Sequence, residues 1–549
     1  MSTEMKRSMV AVGTVLLTLS TIGGVAVWSE GERLACVMGT RWDAPLFPEG
    51  AVAMPADPAG TSWCRTLNGV RACVPRSPRI VQENRRPGSA AWSISPSAGA
   101  DVEGFASKAS AQTGDMVTLF VSTRAPTFHV EAYRLGFYGG LGGRLVWHSA
   151  EIRGHRRATP PPDPVTNLVQ TRWSPSLSFR VTGEWTPGVY LLKLVGSEGS
   201  QSYVPLVVRD DWSRSALLLQ IPVATWQAYN TWGGHSLYYG PGKVFDDRAR
   251  VVSFDRPYVR NRGAADLLQG GDQPLIALVE RLGLDVAYWT DLDLHERGVL
   301  LPNHRALVVV GHGEYWSTAM RDAVERGRRG GVNLFFVEAN DAFRHIRIEP
   351  SPLGFDRHVV AYKDAAEDPL TGVNNPEVTV DWRQPPVSRP ESELLGAAFE
   401  CGQVFADMVV TDASTWPFSG TDLRDGDRLP DLVGFAEVDR VDPSLPTPRH
   451  LQVLAHSPGA CRGRHTYSDM TYYAARSGAG VLDTGTTAWA YRLGLPCILS
   501  DRCGAAAQFV RSVTENVLAA FGSGPAGPRF ASVSNLKALG IELQHPIDP

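Results

Sequence analysis

The sequence predicts two architectures in succession: an immunoglobulin-like β-sandwich, then a mainly parallel α/β domain interrupted by a long insertion. Three observations predict this. Residues 105–211 alternate apolar and polar positions with a period of two. The largely apolar runs ALLLQI (216–221), ALVVV (306–310) and VNLFFV (332–337) come next. Between those runs the period lengthens to that of a helix.

Each element follows from local chemistry. In the sandwich, Val117, Leu119 and Val121 share one face and Phe128, Val130 and Ala132 another, with turns at Thr113-Gly114-Asp115 and Ala125-Pro126. GEWTPGVYLLKLVG (183–196) and SYVPLVVRDD (202–211) continue the pattern, and short strands with frequent turns are the mark of a sandwich. In the α/β part, Asp272 is placed to cap a helix whose first turn takes Pro274. Leu275, Leu278, Val279 and Leu282 line its inner face before Gly283 stops it. A second helix starts at Ser317, turns Met320, Ala323 and Val324 inward and ends at Gly330-Gly331. Residues 350–475 lose the rhythm and read as an insertion; it returns at GAGVLDTGTTAWA (478–490) and closes with a helix over RSVTENVLAAF (511–521). The expected organisation is therefore an export segment (1–30), an irregular Cys-containing lead-in (31–95), the sandwich (96–212), the α/β domain (213–525) and a tail (526–549).

Composition narrows the function. A formal charge of −4 over 549 residues, with no basic tract, gives no electrostatic case for a nucleic-acid partner. Lys6 and Arg7 before an apolar run over residues 9–28 have the layout of a secretory signal, either cleaved or kept as a membrane anchor. Export places the chain in the periplasm, outside the cell or on the outer membrane face. Seven cysteines fit an oxidising compartment; Cys64 and Cys73 are near neighbours, as are Cys497 and Cys503, and Cys401 and Cys461 lie within the insertion. Their connectivity is not fixed by sequence.

The chemistry gathers at strand ends. In open parallel sheets ligands bind beyond the carboxyl ends of the strands. GHGEYWS (311–317) sets His312 and Glu314 at one such end, LFFVEAN (334–340) sets Asn340 at another, and TWQAYNTWGG (225–234) carries Tyr229 away from a third. Each also has a plainer reading: His-x-Glu is common, Tyr229 among tryptophans can be core, and Tyr190 on a sandwich strand can be packing. No G-x-S-x-G nucleophile elbow is present, which disfavours a serine hydrolase.

The segments EAYRLGFYGGLGGRLV (131–146), WTPGVYLLKL (185–194), TWQAYNTWGGHSLY (225–238) and GHGEYWS (311–317) resemble, in that order, the large (β) subunit of N,N-dimethylformamidase and its relatives. The resemblance implies a glutamine-amidotransferase-like (flavodoxin-like) α/β domain behind the sandwich. It also implies amide hydrolysis at a mononuclear ferric iron held by two tyrosines and a glutamate. Carried over residue by residue, the glutamate ligand is Glu314 and its neighbouring histidine His312. One tyrosine is Tyr229, and the other falls by order and spacing on Tyr190. An asparagine near the iron corresponds to Asn340, and an acid/base glutamate to Glu437 in LVGFAEVDR (432–440). Phenolate and carboxylate oxygens are hard anionic donors that suit trivalent iron. Such an ion can polarise an amide carbonyl and acidify water, while His312 or Glu437 moves the proton and Asn340 donates to the oxyanion.

Two features depart from that family: the export signal with its cysteines, and Gly313 where an aspartate or similar residue is usual. The expectation is an exported, iron-dependent hydrolase of a small linear amide, able to form homo-oligomers. The alternative is a non-catalytic envelope protein that binds glycan or protein on the same fold. A thiol-dependent enzyme is discounted, because residues 311–314 hold no cysteine.

Overall fold

The computed structural model describes residues 60–549 apart from 96, 260–270 and 435. The apolar run at 9–28 and Cys36 lie outside the described residues. The chain is mixed α/β, with more strand than helix.

Two sheets face each other in the first half. One holds Val102–Ala106, Met116–Thr123 and Leu177–Arg180; the other holds, in order, Ser110–Gln112, Gln201–Arg209, Gly188–Gly196, Thr127–Leu135 and Gly143–His148. The period-two alternation buries Val117, Leu119 and Val121 of the first sheet against Val130, Ala132, Leu192 and Leu206 of the second. Each such fully buried aliphatic side chain contributes about 1.5–3 kcal/mol.

The second half is built on a seven-stranded sheet. Leu217–Ile221 pairs in parallel with Val286–Thr290 on one side and Ala306–Val309 on the other; Asn333–Phe336 and Gly480–Asp483 continue in parallel, and Arg464–Ala474 and Gln452–Cys461 finish it antiparallel. The chain builds outward from Leu217–Ile221 in both directions. Between that strand and Ala306–Val309 the connections diverge, and such a switch point at the carboxyl ends is where sheets of this kind bind ligands.

Flanking helices follow their sequence signals with one exception. Ser317 caps Thr318–Arg329 by accepting from the Met320 N–H, and Met320, Ala323 and Val324 are buried beneath it. Gln273–Arg281 takes Pro274 in its first turn and ends before Gly283, whose φ of 66° suits glycine. Asp272, however, makes no side-chain cap: it is itself in helical conformation, and its carboxylate is buried beside Gly311.

Two regions differ from their sequence reading. Residues expected to be irregular form a hairpin, Ser62–Leu67 with Val70–Pro75, and a helix, Pro78–Asn84, whose apolar faces join the main core. The hairpin is too short for its periodicity to stand out. The insertion is not a separate unit either, since its last hairpin, Gln452–Ala474, supplies the two outer strands of the main sheet. Among the described residues three disulfides are present, Cys64–Cys73, Cys401–Cys461 and Cys497–Cys503, and they suit an oxidising compartment. Cys401–Cys461 closes the longest loop, 60 residues, and so removes the most freedom from the unfolded chain. No helix among the described residues is long and apolar enough to cross a membrane.

A buried ion pair joins the two halves. Arg134 of the sandwich meets Glu280 of Gln273–Arg281 at 2.6 Å with both side chains fully buried. Tyr288 donates to one Glu280 oxygen and Asn84 to the other, so the carboxylate charge is satisfied from three elements.

His345, on the strand Arg344–Ser351, is buried and neutral. Its Nδ1 donates to the Val378 carbonyl at 2.8 Å, which leaves Nε2 to accept from Thr318 Oγ1 at 2.9 Å. Burial pushes its pKa down to about 4. A histidine depressed in this way contributes stability that is complete above its unfolded value near 6.5 and is lost as pH falls through 4, up to about 3 kcal/mol. In urea unfolding, the gap between wild type and His345→Gln should therefore narrow between pH 6.5 and 4. A gap independent of pH would show that His345 is not held neutral.

Candidate functional site

At this switch point, Tyr229 is the last residue of the helix Val223–Tyr229, which leaves the carboxyl end of Leu217–Ile221. The segment after it winds around a fully buried guanidinium. Arg256 donates to the carbonyls of Gln227, Asn230, Trp232 and His235 and to Gln227 Oε1, at 2.9–3.2 Å. Gly233, at φ 75°, lets the chain turn where a Cβ would strike Val169 at 2.5 Å. The turn brings the Leu237 N–H back to the Ala228 carbonyl, so Tyr238 stacks on Tyr229 with ring centroids 4.6 Å apart.

The strand Ala306–Val309 delivers the facing group. Gly311 adopts φ 62°, and a Cβ there would fall 1.8 Å from Asp272 Oδ1, so both backbone and space require glycine. At Gly313 a Cβ would meet Asp341 Oδ1 at 2.6 Å, so the loop is closed tightly against that carboxylate. The Gly313 N–H donates to that same oxygen, and the Glu314 carbonyl accepts from the Phe343 and Arg344 N–H groups. Asn340 and Ala342, at φ 64° and 52°, turn the chain so that Arg344 runs alongside Glu314.

Glu314 is 1% exposed. Its Oε2 accepts from Tyr229 at 2.9 Å and Tyr238 at 2.5 Å, and the two hydroxyls are 3.0 Å apart. Its Oε1 is held by Arg344 Nε at 3.3 Å, and Arg344 in turn grips Asp381. Burial alone would raise the Glu314 pKa, but the charges of His312, Arg344 and Lys363 and the Tyr238 hydroxyl bring it below the usual carboxylate value. Burial and the Glu314 charge push the Tyr238 phenol well up.

His312 Nε2 lies 2.8 Å from Glu437 Oε2 and 3.9 Å from Glu314 Oε2. The His312–Glu437 contact is close but not aligned, and neither atom has a well-directed hydrogen bond. Burial works against the imidazolium, yet the carboxylates of Glu437, Glu314 and Glu338 outweigh it and push His312 up to about 10. Lys363 adds an unusual group: at φ 62° its amine sits 3.6 Å from the Tyr238 ring centroid, buried and without a hydrogen-bond partner. Burial and the Arg344 charge lower its pKa well below the ordinary lysine value.

Of the residues named from sequence, Tyr229, His312, Glu314 and Glu437 come together. Asn340 stands at the same sheet edge, its N–H on Asp439 at 2.9 Å and its buried Oδ1 without a partner. Tyr190 does not join them. It points into the sandwich core, donates to the Thr186 carbonyl at 2.7 Å and stacks on Trp185 at 4.9 Å. Alternation along Gly188–Gly196 dictates that inward position. Tyr238 occupies the place beside Tyr229, nine residues along the same segment, and Arg344, Lys363 and Asp381 complete the surroundings. None of these four was singled out from sequence. For Tyr238 the signal was present, a second tyrosine at the end of TWQAYNTWGGHSLY.

Among the described residues no three His, Cys, Asp or Glu side chains gather as a metal cage. A metal here would instead draw on phenol oxygens. Tyr229, Tyr238 and Glu314 offer three hard oxygens within 2.5–3.0 Å of one another, a donor set that fits a trivalent ion.

The loop's dependence on one guanidinium is testable. Arg256→Met strands several buried carbonyls, and each buried polar group left unsatisfied costs about 1–3 kcal/mol. Urea unfolding should show a loss of roughly 3 kcal/mol or more. A loss within measurement error would mean the loop is held by other contacts.

A search with the chain finds no match among curated proteins. A solved Paenibacillus sp. cycloisomaltooligosaccharide glucanotransferase, complexed with cycloisomaltoheptaose, matches at 9% identity and a TM-score of 0.15. That match covers 49% of this chain and about a third (35%) of the other, and at that score it carries no argument. The family profile described as N,N-dimethylformamidase beta subunit-like, C-terminal, matches residues 129–504, well over half the chain and inclusive of every site residue above. The chain belongs to the N,N-dimethylformamidase beta subunit-like family.

Proposed function

We propose that this chain is an exported hydrolase of a C–N amide bond that uses a ferric ion held by Tyr229, Tyr238 and Glu314. The observation that carries the reading is the triangle of those three oxygens beside the His312–Glu437 pair. Family membership supports amide hydrolysis, and the three disulfides support export. The order of the five parallel strands supports a flavodoxin-like core, and the two facing sheets support an immunoglobulin-like sandwich. Tyr190 has no part in the metal set, because its hydroxyl is committed to Thr186 in the sandwich core.

When bound, the ion would supply Lewis acidity toward the amide carbonyl and toward water. The remaining work falls to the chain's own side chains. Glu437 and His312 face each other at 2.8 Å and act as one proton-transfer unit. They accept a proton from the attacking water and return it to the departing amine as the C–N bond breaks. Asn340, at the same sheet edge, would serve the oxyanion of the tetrahedral intermediate as a donor through its side-chain amide N–H. Tyr315, Trp316 and Trp226 are buried around this edge and limit the access of bulk water.

The test is metal content of the protein purified without added metal, followed by a screen of small linear amides for amine release. Glu437→Gln and His312→Gln should each lower kcat by about 10²–10⁴-fold with the metal retained. Wild-type rates in both variants would contradict the proton-transfer assignment. Stoichiometric metal without hydrolysis of any amide, or no metal uptake at all, would favour a binding protein on the same fold.

A further inference from the structure

Glu314 has two oxygens, and the structure treats them differently. Oε2 faces the tyrosine hydroxyls, while Oε1 is turned away toward Arg344 Nε at 3.3 Å. Arg344 cannot swing clear, because its other arm grips Asp381 and its guanidinium lies 4.4 Å from the Phe343 ring centroid. Backbone geometry reinforces this, since the Arg344 N–H donates to the Glu314 carbonyl at 2.8 Å and Arg344 pairs in parallel with Tyr315, the residue after Glu314. An isolated bridge between Arg344 and Asp381 ties the third partner into the same ladder.

We infer that Arg344, braced by Asp381, is a positioning residue that restricts Glu314 to one-oxygen ligation and thereby keeps coordination positions open. The inference rests on the metal reading above. A carboxylate free at both oxygens tends to chelate a hard ion with both, which would consume a position that water or substrate needs. With Oε1 committed to a planar guanidinium, only Oε2 is available. The fork geometry matters: a lysine at 344 carries one point charge and cannot hold Glu314 and Asp381 together. Loss of a group that orients a ligand typically weakens metal affinity by about 10–100-fold.

The test is titration of metal-free protein with ferric nitrilotriacetate, following the visible tyrosinate-to-iron band, for wild type, Glu314→Ala, Arg344→Met, Arg344→Lys and the double variant Arg344→Met/Asp381→Asn. The double variant removes the Asp381 charge together with Arg344, so an unpaired Asp381 does not destabilise it, and Arg344→Lys keeps a cation beside Glu314. Expected are strong binding in wild type, none in Glu314→Ala, and about 10–100-fold weaker binding with a shifted band in every Arg344 variant, the lysine included. Binding in wild type, lost in Glu314→Ala and unchanged in the Arg344 variants, overturns this inference alone. A changed melting temperature with unchanged affinity does the same, by making the contact structural. Absence of iron binding in wild type overturns the metal reading and this inference with it.

Discussion

A carboxylate 1% exposed to solvent is the constraint around which this end of the molecule is organised. An ionised Glu314 without partners at that depth would cost several kcal/mol. The chain answers with a cation on one oxygen, two phenols on the other, and the charges of His312 and Lys363 nearby. Each answer has its own structural cost: left-handed backbone at Asn340, Ala342 and Lys363, a buried amine without a hydrogen bond, and glycines at 311 and 313 where nothing else fits. Strain and unsatisfied polar groups gathered at one sheet edge are what functional sites accumulate. The same arrangement that tolerates the charge also aims it, which is how stability and chemistry become one problem here.

The rest of the fold holds that arrangement still. Arg134 and Glu280 bind the sandwich to the helix Gln273–Arg281, whose amino end lies against Gly311. Arg256 performs a comparable task for the tyrosine loop, replacing a missing secondary structure with five hydrogen bonds from one side chain. Arg344 opens the strand Arg344–Ser351 and Glu314 directly precedes the strand Tyr315–Ser317, while Tyr229 ends a helix and a loop pinned from within supplies Tyr238. The site therefore sits on braced elements even where the backbone is irregular.

Much of this was legible in the sequence, and the limits are instructive. Buried parallel strands announce themselves as short, largely apolar runs, so Leu217–Ile221, Ala306–Val309 and Asn333–Phe336 and their carboxyl ends followed from pattern alone, with His312 and Glu314 in place. Ser317 advertised its helix by a cap that the structure contains. Asp272 looked like a cap too, yet no local signal distinguishes a capping aspartate from one buried against a neighbouring strand. The outer strands over 452–474 were masked because half-buried antiparallel edges carry polar residues and sit far along the chain from their partners. Tyr190 shows the cost of matching by spacing: order along the chain placed it correctly in sequence, but alternation sends it into the sandwich core. Tyr238 is adjacent to Tyr229 only after a glycine turn around Arg256, a contact that no periodicity encodes. Arg344, Lys363 and Asp381 belong to the region read as insertion or its border, where long-range pairing decides position.

The account stands on which two tyrosines share the site with Glu314. The most direct measurement is the visible spectrum of ferric-loaded protein for wild type, Tyr229→Phe, Tyr238→Phe and Tyr190→Phe, each confirmed folded. The account predicts that Tyr229→Phe and Tyr238→Phe each weaken and shift the tyrosinate-to-iron band, while Tyr190→Phe leaves it unchanged and costs only about 1 kcal/mol of stability from its lost hydrogen bond. A band that survives Tyr238→Phe intact, or that is altered by Tyr190→Phe, would contradict it.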